Sequence, residues 1–382
     1  MAKITFIQRL WYEYPGVEFI SAVLKKHGHK VRVIIEDLPK RIIRQIGNDG
    51  IAAFSVTTGM HHWGIEVAMA IKKELRLPTV FGGPHPTYFP EFINEDGVDI
   101  ICIGEGEYPM LDLANAIDNN YDLFHIKNMW VKKNGIVHKN PLRPLIDGLD
   151  AIPFPDRSIY YQAYPVLRNS THKIFLASRG CPFECTFCFN GKLKNLYSGL
   201  GRYVRFRSSA NVVEEIRQVR KYYPFKTVFF NDDIFILNNK WLNEFLPLYQ
   251  REVGLPFYAS ARADTLCEDT VKLLKDAGCK CLSFAIESGN ERIRNKILNK
   301  KITNEQILYA ASLLKRYGIK FATYNMVGIP GETIENIFET VDINIKIGTD
   351  YPRCSFLTPY PGTKIAEYAN RIGCLESGSD SL

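Results

Sequence analysis

The chain has 382 residues, 46% hydrophobic and 23% charged, which suits a soluble globular protein with room for two cored domains. No apolar run is long enough to span a bilayer, and Met1–Phe6 lack the apolar core of a secretion signal, so a cytoplasmic location is expected. The net charge of +7 comes from scattered Lys and Arg, which reads as a solvated surface rather than a polyanion site.

Nine cysteines, an odd count, argue against a disulfide framework. Five (Cys102, Cys267, Cys279, Cys281, Cys354) lie in or beside apolar segments, and Cys374 is near the end. The other three are clustered.

Short apolar runs at Ile4–Ile7, Val31–Ile35, Ala52–Val56, Thr79–Phe81 and Ile100–Ile103 alternate with helical patterns such as Val17–His27 and Ile65–Glu74. This alternation predicts a parallel sheet covered by helices, a doubly wound Rossmann-like domain over residues 1–140. Ligands of such folds bind at the carboxyl ends of the strands. Here those ends are Ser55-Val56-Thr57-Thr58, Gly82-Gly83-Pro84-His85 and Gly104-Glu105-Gly106-Glu107.

Asn134-Gly135, between Met129–Lys132 and Ile136–His138, signals a hairpin. The Pro-rich Ile152–Asp156 predicts an extended connector over residues 141–165.

From Ile174 six strands are expected: Ile174–Ala177, Thr227–Asn231, Phe257–Ala261, Cys281–Ala285, Phe321–Met326 and Ser355–Leu357. Helices are expected between them at Ala210–Tyr223, Lys240–Glu252, Cys267–Ala277, Glu291–Leu298 with Asn304–Tyr317, and Ile334–Ile347. Six βα units predict a partial (βα)6 barrel over residues 166–366, with chemistry at the carboxyl ends of its strands, and a tail over 367–382. Arg202, Arg205 and Arg207 sit among aromatics and could meet a phosphate, but nucleic acid is not the expected partner.

The decisive segment follows the first barrel strand: Arg179-Gly180-Cys181-Pro182-Phe183-Glu184-Cys185-Thr186-Phe187-Cys188-Phe189-Asn190. Three thiolates on one tight loop can reach a single cubane cluster and leave one iron without a protein ligand. Structural zinc wants a fourth ligand, and none lies close by in sequence.

This segment resembles the signature of the radical S-adenosylmethionine (SAM) superfamily, and the six βα units resemble that family's partial barrel. The resemblance implies a 4Fe–4S cluster on Cys181, Cys185 and Cys188 that binds SAM at its open iron and cleaves it reductively to a 5′-deoxyadenosyl radical. It implies SAM contacts from Phe187 beside the adenine and from strand-end groups: Asp232 in Phe230-Asn231-Asp232-Asp233; Ser260 and Arg262; Glu287 and Ser288 in Ala285-Ile286-Glu287-Ser288-Gly289; and Gly328 and Pro330 in Gly328-Ile329-Pro330-Gly331-Glu332-Thr333. Pro359-Tyr360-Pro361-Gly362-Thr363 resembles the turn after the sixth strand. Taken alone, the Asp pair also reads as a helix cap, Glu287 as an ion-pair partner and the Gly-Ile-Pro-Gly stretch as a turn.

A doubly wound domain ahead of such a barrel resembles the family's cobalamin-binding subclass. That implies cobalamin held by Ser55, Thr57, Gly82, Gly83, His85, Gly104, Glu105 and Gly106. The Asp-x-His-x-x-Gly loop that supplies a cobalt ligand elsewhere is missing; the loop after Ile7 runs Gln8-Arg9-Leu10-Trp11-Tyr12-Glu13-Tyr14-Pro15-Gly16. The lower cobalt face is then expected to be free, water-bound or covered by another side chain. His85 reads as a turn histidine with a backbone hydrogen bond rather than a substitute ligand, and His61 and His62 as surface or capping residues at a helix start. The methylthiotransferase subclass is not matched, because its second three-cysteine cluster would need more than Cys102.

The expected activity is methylation of an unactivated carbon of a small-molecule or natural-product substrate, with an external flavodoxin- or ferredoxin-type electron donor. Radical cyclisation, rearrangement or oxidation remain alternatives. So do a non-catalytic cobalamin or electron-transfer module and a barrel enzyme whose first domain holds no cobalamin. Tyr197, Tyr203, Tyr324 and Tyr360 are aromatics that could line the pocket, and the last eight residues, Leu375–Leu382, read as a mobile end.

Overall fold

The computed structural model of the chain describes residues 1–374. Contacts divide it into two compact units: Met1–Asn169 with Tyr197–Gly201, and Ser170–Leu196 with Arg202 onward.

The first unit carries seven strands: β1 (Lys3–Gln8), β2 (Lys30–Ile35), β3 (Ile51–Ser55), β4 (Thr79–Gly82), β5 (Ile100–Cys102), β6 (Met129–Lys133) and β7 (Ile136–Lys139). Their order is 2-1-3-4-5-6-7. Strands β1–β5 are parallel, and the Asn134-Gly135 hairpin adds β6 antiparallel to β5. Helices α1 (Pro15–Lys26), α2 (Pro39–Ile46), α3 (His61–Leu75), α4 (Pro84–Tyr88) and α5 (Glu107–Asp118) connect the parallel strands. Proline in the first turn of α1, α2 and α4 presets φ where no amide partner is needed. The core stacks Phe54 on Phe81 at 4.5 Å, with Ile7, Ile34, Phe92 and Ile101 around them.

The expected connector packs within this first unit. Two short helices, α6 (Ser158–Tyr161) and α7 (Pro165–Arg168), interrupt the extended chain. The Tyr160 hydroxyl donates to Gln8 Oε1 at 2.7 Å, and Tyr161 donates to Glu13 Oε2 at 2.8 Å. Asp156 accepts from Ser21 at 2.6 Å and pairs with Lys25 at 2.7 Å.

The second unit is a six-stranded, all-parallel open sheet: β8 (His172–Phe175), β11 (Thr227–Phe230), β12 (Phe257–Ala261), β13 (Cys279–Glu287), β14 (Lys320–Val327) and β15 (Tyr351–Phe356), adjacent in chain order. A small antiparallel ribbon of β9 (Ser178–Arg179) and β10 (Arg205–Phe206) lies outside it. The helices are α8 (Phe189–Leu196), α9 (Ser209–Tyr222), α10 (Asn239–Glu252), α11 (Glu268–Asp276), α12 (Asn304–Arg316), α13 (Ile334–Ile347) and α14 (Lys364–Arg371).

Helix starts are set by side-chain caps. Ser208 accepts from Asn211 and Asn238 from Trp241, while Thr303 with Gln306 and Thr333 with Asn336 form capping boxes. Aromatics fill the layer between sheet and helices; Trp241 stacks on Phe245 at 4.4 Å beside Phe230, Phe235 and Phe257. The helix expected over Glu291–Leu298 is instead one π turn, Ile293–Ile297. Helix α14 occupies the start of the expected tail, and Leu375–Leu382 lie outside the described residues.

Candidate cluster and cofactor sites

Strand β8 leads through β9 into the cysteine loop. Gly180 has φ +88°, and a Cβ there would run into the Tyr203 carbonyl, so this entry needs glycine. The loop has no repeating structure, and distant residues fix it. The Thr186 amide donates to the Leu298 carbonyl at 3.0 Å and its hydroxyl to that of Ile297 at 2.7 Å. Ile365 donates to the Thr186 carbonyl at 3.1 Å, and the Asn299 amide group to that of Glu184 at 2.8 Å.

Cys181, Cys185 and Cys188 are all half-buried. Burial pushes the Cys181 thiol up to about 11, with Asp233 and the other two sulfurs adding to the rise. Cys188 moves the same way for the same leading reason, opposed by hydrogen bonds from Asn190, whose amide group stands 3.6 Å from its sulfur. Sulfurs so placed need a bound cation to remain thiolates. Among the described residues no three His, Cys, Asp or Glu side chains are close enough together to share one metal ion. Three soft donors on one loop, each free to bond a different iron, fit a multi-iron cluster.

The other expected SAM residues fall at the strand ends, with varied commitments. Asp232 is fully engaged: it accepts from the Ala177 amide at 3.1 Å, the Ser178 amide at 2.6 Å and the Ser178 hydroxyl. Burial raises its carboxyl to about 6. It holds the backbone leading to the cysteines, which neither a helix cap nor an open SAM contact describes. Arg262 forks onto Asp264 at 3.0 Å, donates to the Lys300 carbonyl at 2.7 Å and lies 3.6 Å over the Phe183 ring. Ser260, half-buried, accepts from the Phe235 amide through its carbonyl.

Glu287 follows a bulge in β13, has φ +67° and forms a buried pair with Lys300 at 3.0 Å. Ser288 is fully buried, and its carbonyl accepts from Arg294. At the β14 turn, the Gly328 and Ile329 amides donate to Glu332 Oε2 at 2.9 and 3.2 Å, while Glu332 Oε1 is buried without a partner. Pro330 is buried. Phe187 packs against Ile297, Leu298, Met326 and Ile329, so cysteine loop, π turn and β14 turn meet around one ring.

No sequence motif marks Lys300, Glu332 or Arg294: Lys300 is defined by Glu287 thirteen residues away, Arg294 by acceptors six to ten residues away, and Glu332 by the turn whose amides it accepts. Arg207 pairs with Glu215 in a buried ion pair and Arg205 is buried in the ribbon, so the arginine group offers no polyanion face as a set.

In the first unit, order 2-1-3-4-5 puts the switch point between β1 and β3. Ser55 and Thr57 end β3; Gly82 and Gly83 end β4; Gly104, Glu105 and Gly106 follow β5. Beside them the loop after β1 leaves Leu10, Trp11 and Tyr12 between 44% and 59% exposed. Polar strand ends beside exposed apolar side chains fit a large, flat cofactor.

Some members of the set are already occupied. His85 lies in α4, buried, its ring hydrogen-bonded to the Thr58 hydroxyl at 3.1 Å rather than to the backbone. His61 does start α3, but it is buried and stacked on His85 with centroids 3.8 Å apart, so it is not a surface residue. Glu105 accepts from the Ile146 amide at 3.0 Å. A Cβ on Gly104 would coincide with the Tyr197 hydroxyl, so this glycine accommodates a tyrosine. Tyr197 therefore belongs with the β5 loop and not with a barrel pocket.

Two family models match: the Radical SAM superfamily over residues 175–343 and the B12 binding domain over residues 12–114. An uncharacterized methyltransferase from Pyrococcus horikoshii is 30% identical over 371 residues, covering 93% of this chain and 78% of that protein. The chain belongs to the cobalamin-binding subclass of the radical SAM superfamily. Its cofactors are those of the subclass: a 4Fe–4S cluster, SAM and cobalamin.

An anaerobic magnesium-protoporphyrin IX monomethyl ester cyclase from Rubrivivax gelatinosus is 27% identical, covering 90% of this chain and 64% of that protein. Among solved structures, the radical SAM methyltransferase TsrM from Kitasatospora setae, with cobalamin and a [4Fe-4S] cluster bound, superposes with a TM-score of 0.78 at 16% identity. That match covers 97% of this chain and 75% of TsrM, and it shows the shared fold of this radical SAM protein. No helix among the described residues is long and apolar enough to cross a membrane.

Proposed function

We propose that this radical SAM enzyme is a C-methyltransferase acting on a small-molecule substrate in the cytoplasm, under anaerobic conditions and with a flavodoxin- or ferredoxin-type reductant. The observation that carries the reading is the three-cysteine loop at the carboxyl end of the first barrel strand, in a chain that also has a B12-binding domain. When bound, the cluster supplies the electron that cleaves SAM to a 5′-deoxyadenosyl radical, and cobalamin supplies a methyl group.

Cys181, Cys185 and Cys188 hold the cluster, and Thr186 fixes their loop against the π turn. Phe187 and the Gly328–Pro330 turn flank the adenine. The Glu287–Lys300 pair and Ser260 offer polar groups to the ribose and methionine ends. Asp232 and Arg262 act one step back, by holding the backbone before the cysteines and the Phe183 ring. Ser55, Thr57, Gly82, Gly83 and Gly106 would receive the corrin and its tail, while Gly104 admits Tyr197 and Glu105 holds the Ile146 amide; Trp11 and Tyr12 are exposed in the loop after β1.

Anaerobic turnover with methyl-labelled SAM tests the reading. Label in a carbon-methylated product together with 5′-deoxyadenosine supports it. Deoxyadenosine with no label in any product overturns methyl transfer in favour of the second reading, a radical cyclisation or oxidation, which the similarity to the cyclase favours. Cys185→Ala should lose both the cluster absorbance and SAM cleavage.

A further inference from the structure

The face of the six-stranded sheet opposite the Phe230–Phe257 core holds a second feature, at the other end of the strands from the cysteines. A cavity of about 520 Å³ opens at the amino-terminal ends of β11–β15. Phe229 and Tyr258 form one wall, stacked with centroids 5.1 Å apart and planes 10° from parallel. Lys280, Lys320 and Arg353 also line it. None of the three has a carboxylate partner among the described residues: Lys320 reaches the Tyr351 hydroxyl at 3.5 Å, and Arg353 lies 5.6 Å from the Tyr324 ring centre. The nearby acid, Asp350, accepts from the Phe321 amide at 3.0 Å and also attracts Lys320, without reaching ion-pair distance.

The face above is not filled. Phe229 is 41% exposed and Tyr324 39%, although both sit within strands. The small residues Ser283 and Ala285 continue the face up β13 and are themselves half-exposed. A filled barrel interior would bury such positions. From Cys281, the register partner of Lys320, to Glu287 is six residues, about 20 Å of strand.

We propose that this cavity is the distal part of the substrate site and that it selects an elongated anionic substrate. A phosphate, sulfonate or carboxylate group sits among Lys280, Lys320 and Arg353, a flat apolar segment lies against Phe229 and Tyr258, and the reacting carbon reaches the cysteine end about 20 Å along the sheet. Three cations against one nearby carboxylate, beside an aromatic wall, leave a net positive site that favours such a molecule over a neutral one of the same shape. This inference names the substrate class and rests on the methyltransferase reading only for what happens at the other end.

The test is anaerobic calorimetric titration of the reconstituted full chain with 2-naphthyl phosphate, its neutral counterpart 2-naphthol, and inorganic phosphate. The expected result is one-to-one binding of 2-naphthyl phosphate, at least tenfold weaker binding of 2-naphthol and of phosphate, and weakening with added salt. The Lys320→Gln, Arg353→Gln double variant should bind 2-naphthyl phosphate at least tenfold more weakly, and Lys320→Arg, Arg353→Lys should restore it. Circular dichroism checks that each variant folds, and Lys280→Glu gives an independent single change of the same sign. Equal affinity for naphthol and naphthyl phosphate, or affinity unchanged in the double variant and in Lys280→Glu, overturns the proposal. SAM cleavage by the unaltered protein is measured separately: its absence defeats the enzymatic reading while the titration stands, and its presence without selective binding defeats only the substrate class.

Discussion

The Glu105 amide donates to the Tyr197 hydroxyl oxygen at 3.1 Å, in the space that a side chain on Gly104 would need. Tyr197 is buried, and its hydroxyl also lies 3.4 Å from the Asn128 amide group. Tyr197→Phe removes these bonds but keeps the ring, so it should cost about 1 kcal/mol. Gly104→Ala meets both the clash and a φ of +78° and should cost about 2–3 kcal/mol. Urea unfolding of the apoprotein measures both. Equal, negligible losses would contradict the arrangement. A cobalamin titration should show weaker binding for Gly104→Ala.

The stacked His61–His85 pair predicts a sensitivity to acid. Burial depresses His61 to about 4 and His85 to about 3, each further lowered by neighbouring histidines. Between those values and the unfolded value near 6.5, the unfolded chain binds more protons than the folded one. The associated stability is complete above about pH 6.5 and is lost as pH falls through about 4. Because the two histidines titrate as a coupled pair, the linked stability is only on the order of 2–4 kcal/mol. A His61→Phe, His85→Phe variant should show a flatter decline in unfolding free energy between pH 7 and 4 than the natural chain. Parallel slopes would count against a neutral buried pair.

Glu332 fixes the turn after β14 by accepting two amides with one oxygen. Glu332→Ala should leave those amides unmatched and loosen the turn, raising KM for SAM about tenfold while changing cobalamin affinity little. Glu332→Gln keeps an acceptor and should fall between. A cobalamin defect as large as the SAM defect would show general unfolding instead.

Arg294 is fully buried and supplies four contacts: the Ile302 and Ser288 carbonyls, the Asn304 side chain and Glu291. Desolvation lowers its guanidinium to about 10, which still leaves it charged at neutral pH. Arg294→Met strands those acceptors and should cost about 3–5 kcal/mol; Arg294→Lys should recover only part, since one ammonium cannot match the fork. Thermal unfolding distinguishes them.

Most strands were legible as short apolar runs, and β1, β4 and β12 lie within about a residue of their expected bounds; β15, expected at Ser355–Leu357, is Tyr351–Phe356, an exposed edge strand that includes Pro352 and Arg353 and so carries no apolar run, and the two-residue strands β9 and β10 were not expected. The hairpin followed from Asn134-Gly135, and the cysteine loop from spacing alone. Asp232 was legible as a strand-end acid but not in its role, since its partners Ala177 and Ser178 lie more than fifty residues away. Tyr197 looked like a pocket aromatic, because no local pattern ties it to Gly104. The π turn at Ile293–Ile297 has the same apolar spacing as an ordinary helix; Arg294 within it reaches acceptors six to ten residues away, and the Leu298 carbonyl after it accepts from Thr186, more than a hundred residues away.

The stitching of Thr186 to Ile297, Leu298 and Ile365 bears on biogenesis. During translation the three cysteines leave the ribosome more than a hundred residues before the segments that shape their loop. Until those segments arrive, the thiols belong to an unclosed stretch open to oxidation or to stray metals. Cluster delivery to this chain is therefore expected to follow synthesis of these segments, and nascent fragments ending before residue 297 should take up iron and sulfide poorly however many cysteines they already carry.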